Sequence, residues 1–285
     1  MARYTHCMPS HLSFKKDSMI ENSYKRIGLM DSGIGGLSVL IPLVHSLSAD
    51  FVYLADTKHV PYGDRSSEEL IALATANVRF LLEHDVELII IACNTLSTVA
   101  LPTLKKRFPG IPLIGMVELI AHRAAQQTRT NTIGLMATTR TIESAVYQDY
   151  FARWYPHITL VPVACPALVP LIEQHPQPTL RIRAALKEYT QQLTASNIDT
   201  LMLGCTHYSF IENEIAKQLP NVKAVVSAQQ VFDEMTESII PDQTRPASVA
   251  FFITGDMQAF VDKISIMHQL PVPRTMQSAH IHISL

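Results

Sequence analysis

Apolar residues recur in short unbroken runs that alternate with stretches of helical period. Ile27-Gly28-Leu29-Met30, Phe51-Val52-Tyr53-Leu54 and Glu87-Leu88-Ile89-Ile90-Ile91-Ala92 read as three strands. Runs of this kind, without strict alternation, predict parallel strands covered on both faces. Between the second and third, Ser66-Ser67-Glu68-Glu69 fits a capping box. Leu70, Ala74, Val78 and Leu81 follow it as a stripe at helical spacing.

The same grammar then restarts. Thr132-Ile133-Gly134-Leu135-Met136-Ala137 repeats the Ile-Gly-Leu-Met of the first strand. Val161-Pro162-Val163 and Thr200-Leu201-Met202-Leu203-Gly204 supply further strands. Ser209-Phe210-Ile211-Glu212 predicts a second capping box. Cys93 follows Met30 at nearly the separation at which Cys205 follows Met136, so the pattern predicts a duplicated α/β unit.

The expected fold is α/β: two similar lobes with mostly parallel sheets, related by pseudo-symmetry, with the active site in the cleft between them. Residues 1–25 are polar, without sustained periodicity, and are expected to be a flexible extension. Residues 26–118 with 228–285 form the expected first lobe and 119–227 the second. The tail carries one more apolar segment, Val249 to Ile253, expected to pack back on the first lobe as strand or helix.

Composition narrows the function. Hydrophobic residues make up 47% of the 285, enough for a sizeable core. Lys and Arg number 23 against 25 Asp and Glu, which leaves no footprint for nucleic acid or an anionic membrane. No apolar run approaches the roughly 18–20 residues of a membrane span. The stretch around His6, His11, Lys15, Lys16 and Asp17 lacks an apolar signal core, so a cytoplasmic location is expected.

The four cysteines Cys7, Cys93, Cys165 and Cys205 form no Cys-x-x-Cys pair. Cys7 and Cys165 read as packing or incidental residues. Cys93 and Cys205 each end a parallel strand, where open α/β sheets place their ligand crevice. Each is followed by small polar residues and a helix start, a setting that favours thiolate. Either cysteine alone could be a buried packing residue, and a Cys93–Cys205 disulfide is the other alternative. Two thiols in corresponding places suit inversion of a carbon centre: one group removes a proton from one face while the other delivers a proton to the opposite face.

Other residues could assist. Asp31-Ser32-Gly33-Ile34-Gly35-Gly36-Leu37-Ser38 departs from a dinucleotide fingerprint at Ser38, yet its glycines allow backbone N–H groups to face a carboxylate. Asp31 could hold an ammonium, tune a thiol, or merely cap the turn. Tyr62 and the Gly63 N–H could bind a carboxylate; the alternative is that Pro61 and Gly63 only shape a turn. Thr138 follows the repeated strand with hydroxyl donors beside it. Glu173 is an acid in an apolar context, and His207 is the natural partner of Cys205. His280 and His282 lack neighbours for metal binding, so no metal site is expected.

Asp31 to Val39, Pro61-Tyr62-Gly63, Ala92-Cys93-Asn94-Thr95 and Leu203-Gly204-Cys205-Thr206-His207-Tyr208 together resemble the glutamate racemases of the aspartate/glutamate racemase family, from about Arg26 to about Thr236. The resemblance implies interconversion of L- and D-glutamate with no pyridoxal phosphate, metal or other cofactor, to supply D-glutamate for peptidoglycan. It implies that Cys93 acts on the D-enantiomer and Cys205 on the L-enantiomer. Asp31 would assist Cys93, and Glu173 with His207 would assist Cys205. Asp31, Ser32, Pro61, Tyr62, Gly63, Asn94, Thr95, Thr138, Thr206 and His207 would hold the substrate. Glutamate is the expected small-molecule partner, with no nucleic acid or membrane partner, and a homodimer is left open. Leu96, Ser209 and Val226-Ser227-Ala228 depart from the usual pattern of the family. Another racemase of the superfamily, acting on aspartate or a hydantoin, is the nearest rival. A two-lobed amino-acid-binding protein is the rival from another class, and it leaves the paired thiols unexplained.

Overall fold

The computed structural model describes residues 24–236, 246–265 and 274–279. Cys7, most of the N-terminal stretch, His280 and His282 lie outside them. Ten strands form two sheets: β1 Arg26–Asp31, β2 Asp50–Ala55, β3 Leu88–Ile91, β4 Leu113–Gly115, β5 Thr132–Ala137, β6 Thr159–Ala164, β7 Thr200–Gly204, β8 Ala224–Val226, β9 Ser248–Ile253 and β10 Arg274–Ser278. The first sheet has the order β10-β9-β2-β1-β3-β4 and the second β6-β5-β7-β8. Every pairing in both is parallel. The block β2-β1-β3-β4 and the whole second sheet therefore share one topology, as the repeated Ile-Gly-Leu-Met predicts. The repeated tetrapeptide occupies the central strand of each block: Gly28 pairs with Val52 and Ile89, and Gly134 with Val161 and Leu201. The tail segment is β9, a strand on the edge of β2.

Burial explains which elements form. β3 is buried along its whole length, and β1, β2 and β5 are buried after their first residue. β6 is half-exposed because it is an edge strand, which is also why Pro162 is tolerated there. One apolar core is shared by the two halves, joining Leu29, Phe51 and Leu88 to Leu135, Tyr147 and Phe151, with Phe232 of the helix Ala228–Thr236 among them. A second core fills the outer face of the first sheet against the helix Ser67–Leu82, and a third fills the outer face of the second sheet against Leu186 and Leu193 of the helix Thr179–Thr194.

The capping box at Ser66 is present in full: Ser66 accepts from the Glu69 N–H, and Glu69 accepts from the Ser66 N–H. The box at Ser209 is not formed. A 3-10 turn, Thr206–Ile211, begins directly after Cys205 and encloses Ser209, so the next helix starts at Glu212 with Ile211 as its cap. A capping serine needs extended backbone, and here the chain is already wound. Among the described residues, no helix is long and apolar enough to cross a membrane.

Candidate active site

The two cysteines sit at matching ends of matching strands. Cys93 follows β3 after one residue and caps the helix Asn94–Val99; Cys205 follows β7 directly and caps the 3-10 turn. Both are 6% exposed, and both are free thiols. Cys165, by contrast, is wholly buried, donates to the Val163 carbonyl at 3.5 Å, and its own carbonyl accepts from Tyr208 at 3.1 Å. It packs, as its sequence context predicts.

A helix does start at Cys93, but its pull toward thiolate is outweighed. Burial raises its pKa, and the charges of Asp31 and Cys205 raise it further; the N–H groups of Leu96 and Thr95 oppose this and lose. Cys93 is held as a thiol in the resting molecule.

The surroundings of Cys205 differ. His207 Nδ1 lies 3.9 Å from its Sγ, and His207 Nε2 donates to Glu173 Oε1 at 2.7 Å. Burial works to lower the His207 pKa, yet Cys205 and Glu173 outweigh it and the ring is held protonated. Burial likewise works to raise Glu173, but His207 and Lys263 outweigh it and bring the carboxyl down to about 2. Cys205 thus faces an imidazolium backed by a carboxylate.

Asp31 is fully buried; its Oδ1 accepts from the Gly33 N–H at 3.0 Å and its Oδ2 from the Thr206 hydroxyl at 3.2 Å. Burial raises its pKa above the ordinary carboxylate value, with His207 opposing. The glycine loop behaves differently from its sequence reading. Its Gly33 and Ile34 N–H groups are spent on Asp31 and on Glu173, the latter at 3.2 Å, so they meet carboxylates of the protein itself. No described glycine has a positive φ. Gly33 and Gly35 are required instead by close approach: a Cβ on Gly33 would strike Glu173, and one on Gly35 would strike His207 and come within 2.5 Å of Thr206 Oγ1.

Hydroxyls and amides from both halves meet beside the thiols. Thr95 and Thr138 Oγ1 atoms lie 3.0 Å apart, and Thr141 joins them at 3.0 Å from Thr138 and 3.4 Å from Thr95. Tyr147 donates to Asn94 Oδ1 at 2.7 Å, which leaves the buried Asn94 Nδ2 as a donor without a partner among the described residues. Ser32 is buried at the end of β1. The peptide Val60–Pro61 is cis. Gly63 rests against Thr138, where a Cβ would come within 2.9 Å. The Tyr62 hydroxyl donates to Asp56 and accepts from Asn77 Nδ2 at 3.4 Å, so its proton is committed within the first half. Tyr62 can offer a substrate its ring but not its hydroxyl hydrogen.

Thr141, Tyr147 and Lys263 belong to this constellation and were not legible as such. Thr141 stands three residues after Thr138 in a helix start, a spacing that could have flagged it. Tyr147 and Lys263 carry no local signal, since each meets its partner only through the tertiary fold.

Residues 48–236 match the Asp/Glu/Hydantoin racemase family. A glutamate racemase of Carboxydothermus hydrogenoformans is 35% identical over 235 residues, 81% of this chain and 87% of the relative. The crystal structure of a Bacillus anthracis glutamate racemase isoform superposes with a TM-score of 0.81 at 28% identity, over 90% of this chain and 99% of that one. A Francisella tularensis glutamate racemase in complex with D-glutamate gives 0.79 at 29% identity, over 90% and 97%. With the paired strand-end cysteines, the matching sheets and these relatives together, the chain belongs to the Asp/Glu/Hydantoin racemase family, among its glutamate racemases.

Proposed function

We propose that this chain interconverts L- and D-glutamate by acid/base chemistry between Cys93 and Cys205, without pyridoxal phosphate or metal. The observation that carries the reading is the placement of two free, buried thiols at equivalent strand ends, one from each half. Cys205, as thiolate beside the His207 imidazolium, removes the Cα proton of L-glutamate. Cys93, as thiol, delivers its proton to the opposite face and becomes thiolate. D-glutamate reacts by the reverse sequence. Asp31 assists Cys93, and Glu173 acts through His207 on Cys205.

The Asn94 amide, the hydroxyls of Ser32, Thr95, Thr138 and Thr141, and the Gly63 N–H supply donors for two carboxylates, and Thr206, whose hydroxyl donates to Asp31, lines the site beside them. The rings of Pro61 and Tyr62 wall the site. On this reading one lobe comprises 26–118 with 228–285 and the other 119–227. The enzyme is cytoplasmic, and its D-glutamate goes to peptidoglycan. The F. tularensis relative bound to D-glutamate supports the choice of substrate.

Incubation of dialysed, chelator-treated protein with L-glutamate, followed by chiral separation, should yield the racemate. Alanine should not turn over, because a missing carboxylate leaves buried donors unpaired, a mismatch that costs about 10⁴-fold; aspartate should turn over poorly, because its shorter chain misplaces one carboxylate. Activity regained only on adding pyridoxal phosphate would refute the two-thiol reading; a preference for aspartate would refute the substrate alone.

A further inference from the structure

Glu173 divides its two oxygens. Oε1 accepts from His207 at 2.7 Å and from the Ile34 N–H at 3.2 Å, while Oε2 accepts from Lys263 Nζ at 2.6 Å. Glu173 follows the helix Leu168–Ile172 and belongs with the second sheet. Lys263 lies on the helix Met257–Ser265, which follows β9 of the first sheet. The ion pair therefore crosses from one half of the molecule to the other. Its side chains are 20% and 9% exposed, so it is far better shielded than an ordinary surface pair. Glu173 is the only hydrogen-bond partner of Lys263 among the described residues, and neither thiol is within its hydrogen-bonding reach.

We propose that Lys263 is a positioning residue for the Cys205 half of the reaction: its ammonium fixes Oε2 of Glu173 across the cleft, so that Oε1 is aimed at His207 when the two halves are closed. This rests on the two-thiol reading above. The helix Met257–Ser265 thereby becomes part of the acid/base apparatus although it touches neither thiol. A single cation on a buried carboxylate is a weaker constraint than two, because the carboxylate can rotate toward whichever donor remains or take up a proton. The charged or titratable groups acting around Glu173 are His207, Lys263, Asp31 and Tyr53.

The test uses the full-length protein with Lys263→Met, Lys263→Gln and Lys263→Arg. In the Met and Gln variants kcat/KM should fall roughly tenfold, and equally in both directions because the equilibrium is fixed. The isotope effect should not be symmetric. With 2-deuterated L-glutamate, whose deuteron Cys205 removes, the primary effect should rise. With 2-deuterated D-glutamate, whose deuteron Cys93 removes, it should fall toward unity, since the later transfer at Cys205 becomes limiting. The acid limb of kcat/KM should move to higher pH, because Glu173 loses one of the cations that hold it ionised. Lys263→Arg should restore the parent pattern. Isotope effects that stay unchanged or shift equally for both enantiomers, in any neutral variant with a parent-like melting curve, would overturn the proposal. Parent protein that fails to racemise glutamate would overturn the reading beneath it, and the parent measurement alone reveals that.

Discussion

Cys93 and Cys205 occupy equivalent places in unequal surroundings, and the inequality sets what each substitution should do. Cys93 is held as a thiol by burial and neighbouring negative charge, whereas Cys205 faces a protonated His207. Cys93→Ala or Cys205→Ala removes one of two obligatory proton carriers, so racemisation should fall by about 10³-fold or more in either variant. Chiral chromatography checks this, and near-parent inversion by one variant would reduce that cysteine to a packing residue. Glu173 carries a second prediction. Its folded-state pKa is depressed from 4.5 to about 2, so its stabilisation is complete above about 4.5 and is lost as pH falls through about 2. Glu173→Gln leaves His207 and Lys263 without their shared anion. It should destabilise the fold by about 3 kcal/mol near neutral pH, and the gap to the parent should narrow between those two pH values. Denaturation midpoints measured across that window decide it; a gap independent of pH would show that the carboxylate charge contributes nothing. The cysteines, Asp31 and His207 were legible because their residue types stand at or just after strand ends in a recognisable order, and Glu173, which follows the helix Leu168–Ile172, was legible as an acid in an apolar run. Tyr62 was half legible: the sequence marks it as part of the site, but its hydroxyl is directed by Asp56 and Asn77, which only the fold brings beside it.

At the scale of the element, the loop after β1 is shaped by what presses on it from the other half. Gly35 does not need a left-handed backbone, so Gly35→Ala should leave the loop itself unstrained. The added methyl would instead push His207 and Thr206 away, and a displacement of about 1 Å can cost about 10²-fold in rate. We expect kcat/KM to fall by that order with little change in melting temperature; a variant with parent-like kinetics would show that the halves need not approach as closely as they do. Strand signals were strongest where burial is complete. β1, β2, β3, β5 and β7 are apolar runs closed in on both faces, and all were readable. β4 and β8 are three residues long, and β10 is the polar edge strand Arg-Thr-Met-Gln-Ser, so neither length nor pattern announced them. The two Ser-x-x-Glu patterns were equal as letters and unequal as structures, because only Ser66 has the extended backbone a cap requires.

Among the described residues, two copies of one four-strand order share an apolar core, and β9 and β10 extend the first copy. The repeat was readable from four letters and two cysteine positions, since a duplicated strand end must place duplicated chemistry. The contacts between the copies were not readable. Asp31 to Thr206, Ile34 to Glu173, Asn94 to Tyr147, Thr95 to Thr138 and Lys263 to Glu173 all pair residues remote in sequence. They bring the reacting groups almost out of water: Asp31 is 0% exposed, Thr206 and His207 2%, and both thiols 6%. Such enclosure has a consequence for traffic. A diacid cannot diffuse past side chains so covered, so entry and escape must wait for part of this enclosure to open against the drag of the surrounding liquid. If that breathing limits turnover, kcat should fall in proportion to the relative viscosity of sucrose solutions, while a polymer that thickens the bulk without slowing small-scale motion should leave it unchanged. Steady-state rates in the two cosolvents would separate a turnover governed by opening from one governed by the thiols.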